Sequence, residues 1–187
     1  MSTNIDEILP VEDRWWEWSR RHPIGSLALA GFIAVQMATI VGYFLRGIGL
    51  PQVPWPLFNG VLFAPASKYG DTGSFFVGQS IHMVDGVVFA ILFAVVAYRL
   101  LPFAKTSSVL NGITYSMIMA IISMGFLVPY VYAPKSGYGF FSFYSPDHWK
   151  LPVSIALFHL VYGYFLGELI NPEKVRARGG GVVLVVE

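Results

Sequence analysis

The chain has 187 residues, of which 55 % are hydrophobic and only 12 % charged. An average soluble domain is about 25 % charged, so the composition is that of a membrane protein. A net charge of +1 leaves no Lys/Arg cluster to hold a phosphate backbone, and the absence of cysteine excludes disulfides, thiolate zinc sites, Cys-held iron–sulfur clusters and covalent c-type haem.

Residues 1–23 are not a cleaved signal. They carry Asp6, Glu7, Glu12, Asp13 and Glu17, whereas a signal peptide opens on basic residues. RWWEWSRRHP at 14–23 reads as an interfacial anchor, with Trp15, Trp16 and Trp18 at headgroup depth and Arg20 and Arg21 facing water or lipid phosphate.

Four apolar segments follow, at 24–45, 75–101, 109–131 and 151–170. Each has roughly the 20 residues that a helix needs to cross a ~30 Å hydrocarbon layer. None shows the period-two alternation of a spanning β-strand. The predicted fold is an all-α integral membrane protein, a single membrane domain of four transmembrane helices in a bundle. Residues 171–187 form a cytoplasmic tail, and its VVLVV end is expected to pair with an edge or lie on a neighbouring subunit.

Four crossings put both termini on one side. That side holds Arg14, Arg20, Arg21, Arg99, Lys105, Lys174, Arg176 and Arg178, against Arg46, Lys68, Lys135 and Lys150 on the other. Eight against four makes the terminal side cytoplasmic, in a bacterial inner membrane. The outer loops, 46–74 and 132–150, are rich in Gly, Pro and aromatics. Disordered linkers are poor in aromatics, so both loops are expected to fold onto the bundle or a partner. Within the second, Ser145-Pro146-Asp147 suits the start of a short interfacial helix.

The chemistry-bearing residues fall in two related frames, His82-Met-Val-Asp85-Gly86 and His159-Leu-Val-Tyr162-Gly163. They hint at an internal repeat of two helix pairs, with the second and fourth helices parallel. Each histidine would lie about 10–12 Å below the outer end of its helix, at 1.5 Å per residue. Gly78, His82, Gly86 and Ala90 recur at i+4, as do His159, Gly163 and Gly167, and such stripes admit a neighbouring backbone or a flat ligand. Gln79, His82, Asp85, His159 and Tyr162 are expected to form one polar cluster facing the bundle interior, where ionisable groups cost least.

Three explanations suit the cluster. His82 and His159 ligate a b-type haem or border a quinone, with Tyr162, Gly86 and Gly163 around the group. Alternatively His82, Asp85 and His159 bind a first-row metal through two imidazoles and a carboxylate. Or the histidines hydrogen-bond between helices, His82 to Asp85 or Tyr162, and the glycines serve close packing. Gln36 reads as interhelical glue.

The closing helix FHLVYGYFLGELINP, with the earlier H-x-x-D-G helix, resembles small bacterial inner-membrane proteins of uncharacterised function that carry an H-x-x-Y-G-x-x-x-G-like last helix. The resemblance rests on His82, Asp85, Gly86, His159, Tyr162, Gly163 and Gly167. It implies four helices in an inner membrane and no particular reaction. Histidines on parallel helices are also similar in arrangement to the cytochrome b anchors of respiratory dehydrogenases.

The expectation is thus an integral membrane subunit of a larger complex, surrounded by lipid and other subunits, with a haem, quinone or metal centre between helices two and four. A free-standing enzyme or carrier for a lipid-soluble substrate, using Asp85 and the histidines for proton transfer, is the alternative. A purely structural subunit is the third.

Overall fold

A computed structural model describes residues 11–101, 107–133, 138–172 and 174. Lys105, Lys135 and the tail from 175 onward, with its VVLVV end, lie outside the described residues. The described residues contain no strand, and four helices are long and apolar enough to cross a membrane: Pro23–Ile48, Ala66–Leu100, Ser108–Tyr132 and Lys150–Leu169. The protein is an all-α, four-helix, multi-pass membrane protein.

Helix α1 (Val11–Arg21) is amphipathic and precedes the spans. Trp15 Nε1–H donates to Leu169 O at 3.3 Å, and the Lys174 ammonium sits 5.4 Å from the centre of the Trp16 ring. These contacts tie the first helix to the end of the last, so the two ends of the described chain share one side of the membrane. The tryptophan anchor therefore also clamps the bundle.

Helix α2 (Pro23–Phe44) opens with Pro23 in its first turn, where a missing N–H costs nothing. It runs on as a tight 3-10 turn (Leu45–Ile48) and ends at Gly49, whose φ of 78° suits glycine. Ala30, Ala34 and Ala38, spaced by four, are fully buried and let neighbouring helices approach.

The first outer loop is not a loop. Leu50 to Pro54 is irregular and rich in proline. Helix α3 (Trp55–Phe63) then dips back against the bundle, with Trp55, Pro56, Asn59 and Gly60 buried. Nine residues cannot cross a bilayer, but a short apolar run of this kind suits a re-entrant element. The second span starts earlier than position 75: helix α4 covers Ala66–Leu92, broken at Gly70 (φ 71°, ψ 165°). Asp71, Thr72, Gly73 and Ser74 are too polar to register as hydrocarbon-spanning, yet they form the first turn after this break. Helix α4 continues through a wide π turn (Phe93–Ala97) to Tyr98–Leu100.

Helix α5 (Ser108–Ile122) is capped by Ser107, whose hydroxyl accepts from the Leu110 N–H at 3.2 Å. From Ser123 to Tyr132 it widens into a π-helix that contains Pro129. Proline has no N–H to give and its ring crowds the carbonyl four residues before, so the backbone loosens here. Between Gly139 and Trp149 the chain makes turns, with Phe141, Ser142 and His148 at positive φ. The short helix expected after Ser145 is therefore absent. Instead the turns deliver the chain directly into helix α6 (Lys150–Leu169).

Around the bundle, α2 packs against α4 and α6, and α5 packs against α6. Helix α4 meets α5 chiefly at the wide turn Phe93–Ala97, while α3 covers the opposite end of that seam. The parallel helices α4 and α6 face each other diagonally, joined by the Tyr162 hydroxyl, which donates to Gly86 O at 2.9 Å.

Glycines set these spacings. A Cβ at Gly78 would collide with the Pro56 carbonyl of α3 and lie 2.6 Å from the Gly60 nitrogen. A Cβ at Gly86 would lie 2.6 Å from Val35 and 3.0 Å from Gly31 O, and one at Gly163 would overlap Ser116 and Gly112. Gly78→Ala is therefore expected to lower stability by about 1–3 kcal/mol through forced displacement of α3. Gly47→Ala, where nothing lies within 4 Å, is the matched control. Thermal unfolding in detergent of the two variants beside the parent checks this, and equal midpoints would show that α3 is not held by close contact.

Candidate functional site

A cavity of about 130 Å³ lies inside the bundle. Its walls come from α2 (Val35), α3 (Trp55, Asn59), α4 (His82, Asp85, Gly86, Phe89), α5 and its wide continuation (Met119, Ser123, Leu127, Tyr132) and α6 (Phe158, His159, Tyr162). The structure thus brings His82, Asp85, Gly86, His159 and Tyr162 together, as the sequence frames suggest. Gly163 and Gln79 do not border the cavity. Gly163 packs against Gly112 and Ser116 of α5.

The two histidines have hydroxyl partners on the preceding helix of their own pair. His82 Nε2 lies 3.1 Å from Thr39 Oγ1 on α2. The Thr39 hydroxyl already donates to Val35 O at 2.7 Å, so its oxygen accepts and His82 Nε2 carries the proton. In a neutral ring this leaves Nδ1 as an acceptor. His159 has the opposite tautomer. Its Nδ1 is 2.8 Å from Ile155 O, a carbonyl that only accepts, so Nδ1 holds the proton and Nε2 accepts from Ser123 Oγ at 3.4 Å.

The pairs match in packing as well. Gly86, four residues after His82, meets Gly31 and Val35, while Gly163, four after His159, meets Gly112 and Ser116. Here the expected partners are corrected: His82 bonds Thr39 instead of Asp85 or Tyr162, and Tyr162 bonds the Gly86 carbonyl.

Asp85 turns to the re-entrant helix. Asn59 Nδ2–H donates to Asp85 Oδ2 at 3.0 Å. Trp55 stands edge-on to His159, with ring centres 5.9 Å apart, and packs against Phe158 at 5.7 Å. Phe158 also lies between the imidazoles, 5.7 Å from His82 and 5.6 Å from His159. Tyr132 closes the end nearest α3, 5.4 Å from Phe58 in a stacked pair. The Trp55 indole N–H is buried without an acceptor, and Gln36 Oε1 is buried without a donor, so that oxygen glues nothing.

Trp55, Asn59, Thr39, Ser123 and Phe158 were not evident as site residues. Trp55 and Asn59 sit in WPLFNG, an apolar stretch too short to span and flanked by prolines, and that shortness was the available signal. Thr39 and Ser123 carry none, since single hydroxyls are common in membrane helices.

Haem ligation by both histidines would need a free ring nitrogen from each, aimed at one iron. His159 has both nitrogens engaged, and Phe158 stands between the rings. Pockets for drug-sized ligands run to about 300–1,000 Å³, well above this cavity, so a macrocycle does not fit without parting the helices. Among the described residues no three His, Cys, Asp or Glu side chains gather as a metal-ligand group. The packing instead gives each histidine an interhelical hydrogen bond.

Comparison with protein-family models, with curated proteins and with solved structures gives no match. What the site does has to be read from its own geometry.

The Asn59–Asp85 bond is the polar link between α3 and α4. Asn59→Leu strands the Asp85 carboxyl in a poorly solvated site and is expected to cost about 1–3 kcal/mol. Asn59→Leu with Asp85→Leu should recover part of that loss. A double-mutant cycle by thermal unfolding measures the coupling, and strictly additive effects would show that the bond does not hold α3 in place.

Proposed function

We propose that this protein binds the polar head of a lipid-soluble ligand that enters the cavity sideways from the bilayer. One observation carries the reading: a mostly apolar cavity with a few polar groups borders the seam where α4 and α5 touch least, and Asp85, Phe89, Met119, Leu127 and Tyr132 along it are only half-buried. A site reached from hydrocarbon through apolar Phe89, Met119 and Leu127, and ending on Asp85, Asn59 and two histidines, suits an amphiphile with a small head. Ionisable groups at such depth mark ligand or proton pathways in membrane proteins. Held against the ligand head, Asp85 and His82 are the groups suited to take or return a proton.

A tail-matched, photoactivatable isoprenoid probe tests the entry route. Labelling is expected on the walls of the seam, at Phe89 and Met119. Met119→Trp fills the seam and should abolish it, whereas Leu160→Trp, on the lipid-facing side of α6, should leave it intact. Labelling that ignores Met119→Trp would sink the lateral route.

A second reading makes the same chain a subunit of a larger membrane complex. Its support is the second outer loop, between the third and fourth spans, where Phe140 is 64 % and Tyr144 77 % exposed. Aromatics held outside the spans are suited to a neighbouring protein or to the lipid interface. The two readings are compatible, because a ligand-binding subunit can pass its ligand to a partner.

The membrane is a bacterial inner membrane in this proposal, with both termini cytoplasmic. The eight-to-four distribution of Lys and Arg supports that orientation. Because the chain has no cysteine, single cysteines report topology directly. Tyr144→Cys in intact cells is expected to react with an impermeant maleimide. Glu168→Cys should react only after permeabilisation, and the reverse pattern would invert the orientation.

A further inference from the structure

We infer that the ligand head is a single hydroxylated aromatic ring of the quinol class, an inference that rests on the lateral site proposed above. Size comes first. An enclosed apolar cavity of about 150 Å³ accommodates benzene, so a cavity of about 130 Å³ that is open on one side is of the order of a single ring and small for a fused system. Shape agrees with this. Trp55, Phe89, Tyr132 and Phe158 supply aromatic walls, against which a flat ring packs edge-on or offset.

The hydrogen-bonding groups then select the oxidation state. The Trp55 indole N–H has no acceptor, but no open space adjoins it, so a ligand oxygen reaches it only if the rings packed on it shift. Asp85 Oδ2 is taken by Asn59, which leaves Oδ1 without a donor among the described residues. His82 gives its Nε2 proton to Thr39, which leaves Nδ1 as an acceptor. The open site therefore presents two free acceptors, Asp85 Oδ1 and His82 Nδ1. A quinone carries only carbonyl acceptors and sets lone pairs against both Asp85 and His82. A quinol carries two hydroxyl protons, one for Asp85 and one for His82, so both acceptors gain a donor. An aliphatic isoprenoid alcohol has the hydroxyl but no ring for the aromatic walls. In each case the tail leaves past Phe89 and Met119.

Calorimetry on the full chain in detergent tests this with three ligands of equal tail length: a benzoquinol kept reduced under argon, its quinone, and an isoprenoid alcohol. The quinol is expected to bind at least about tenfold more tightly than either of the others. Asp85→Asn presents an N–H to the ligand and should move the preference towards the quinone. Trp55→Phe keeps the aromatic wall and leaves both acceptors in place, and should leave the preference for the quinol unchanged. Equal binding of quinol and quinone, or equal binding of the alcohol, overturns the quinol class in the parent protein without any variant. The lateral site still stands in that case if Met119→Trp abolishes the binding that is seen. Binding of all three ligands that is indifferent to Met119→Trp overturns both.

Discussion

The approach of α3 to α4 at Gly78 is the contact on which the rest of the interior depends. A backbone carbonyl, Pro56 O, occupies the place where any other residue would carry its Cβ. Gly60 does the same from the other side, against Ser74. With these two glycines a nine-residue helix lies against a transmembrane helix at backbone distance. Only then does Asn59 reach Asp85 and Trp55 reach His159. Irregular chain such as Leu50–Pro54 is tolerated near a bilayer only where protein or water satisfies its polar groups, and packing of α3 onto the bundle supplies that cover.

The two histidine frames are alike in packing and unlike in chemistry. In each, the glycine one turn after the histidine seats the preceding helix, and the histidine bonds a hydroxyl on that helix. The tautomers are nevertheless opposite. His159 spends Nδ1 on its own helix at Ile155 and is closed to further partners. His82 spends Nε2 on Thr39 and keeps an acceptor in reserve. Asp85 stands where the second frame has Tyr162, and Tyr162 spends its hydroxyl on Gly86 O, across the bundle. One frame thus holds the bundle together, while the other faces the cavity with groups to spare.

Much of the fold was legible because hydrophobic length is a direct physical requirement of a bilayer. The boundaries at 24–45, 109–131 and 151–170 fall within a few residues of the helices. The start at 75 was late because Asp71 to Ser74 are polar, although they form a helical turn after the break at Gly70. The site was legible in part. His82, Asp85, His159 and Tyr162 do share a cavity, since equal depth on parallel helices brings them level. Their hydrogen-bond partners were not legible, because which face a helix turns to which neighbour depends on packing at Gly31, Gly112 and Gly163. Nor was α3, whose nine residues are too few for the length rule that reveals a span.

Unpaired buried polar atoms differ in what they reveal. Ser154 Oγ is buried without a partner, like Trp55 Nε1. Ser154 lies within α6, where a small rotation brings its hydroxyl to the carbonyl one turn before, so its cost is easily removed. An indole has no such freedom. Its N–H is fixed in the ring plane, and Trp55 is wedged between Phe58, Tyr132, Phe158 and His159. Replacing it with phenylalanine would keep most of this packing and remove the desolvated donor. A merely structural tryptophan at this place would therefore be weakly justified, since leaving a buried donor unmade costs about 1–3 kcal/mol. The donor meets an acceptor only after a small shift of these rings, beside a carboxyl and an imidazole that each still lack a donor. The two hydroxyls of a quinol supply one proton to each of these acceptors.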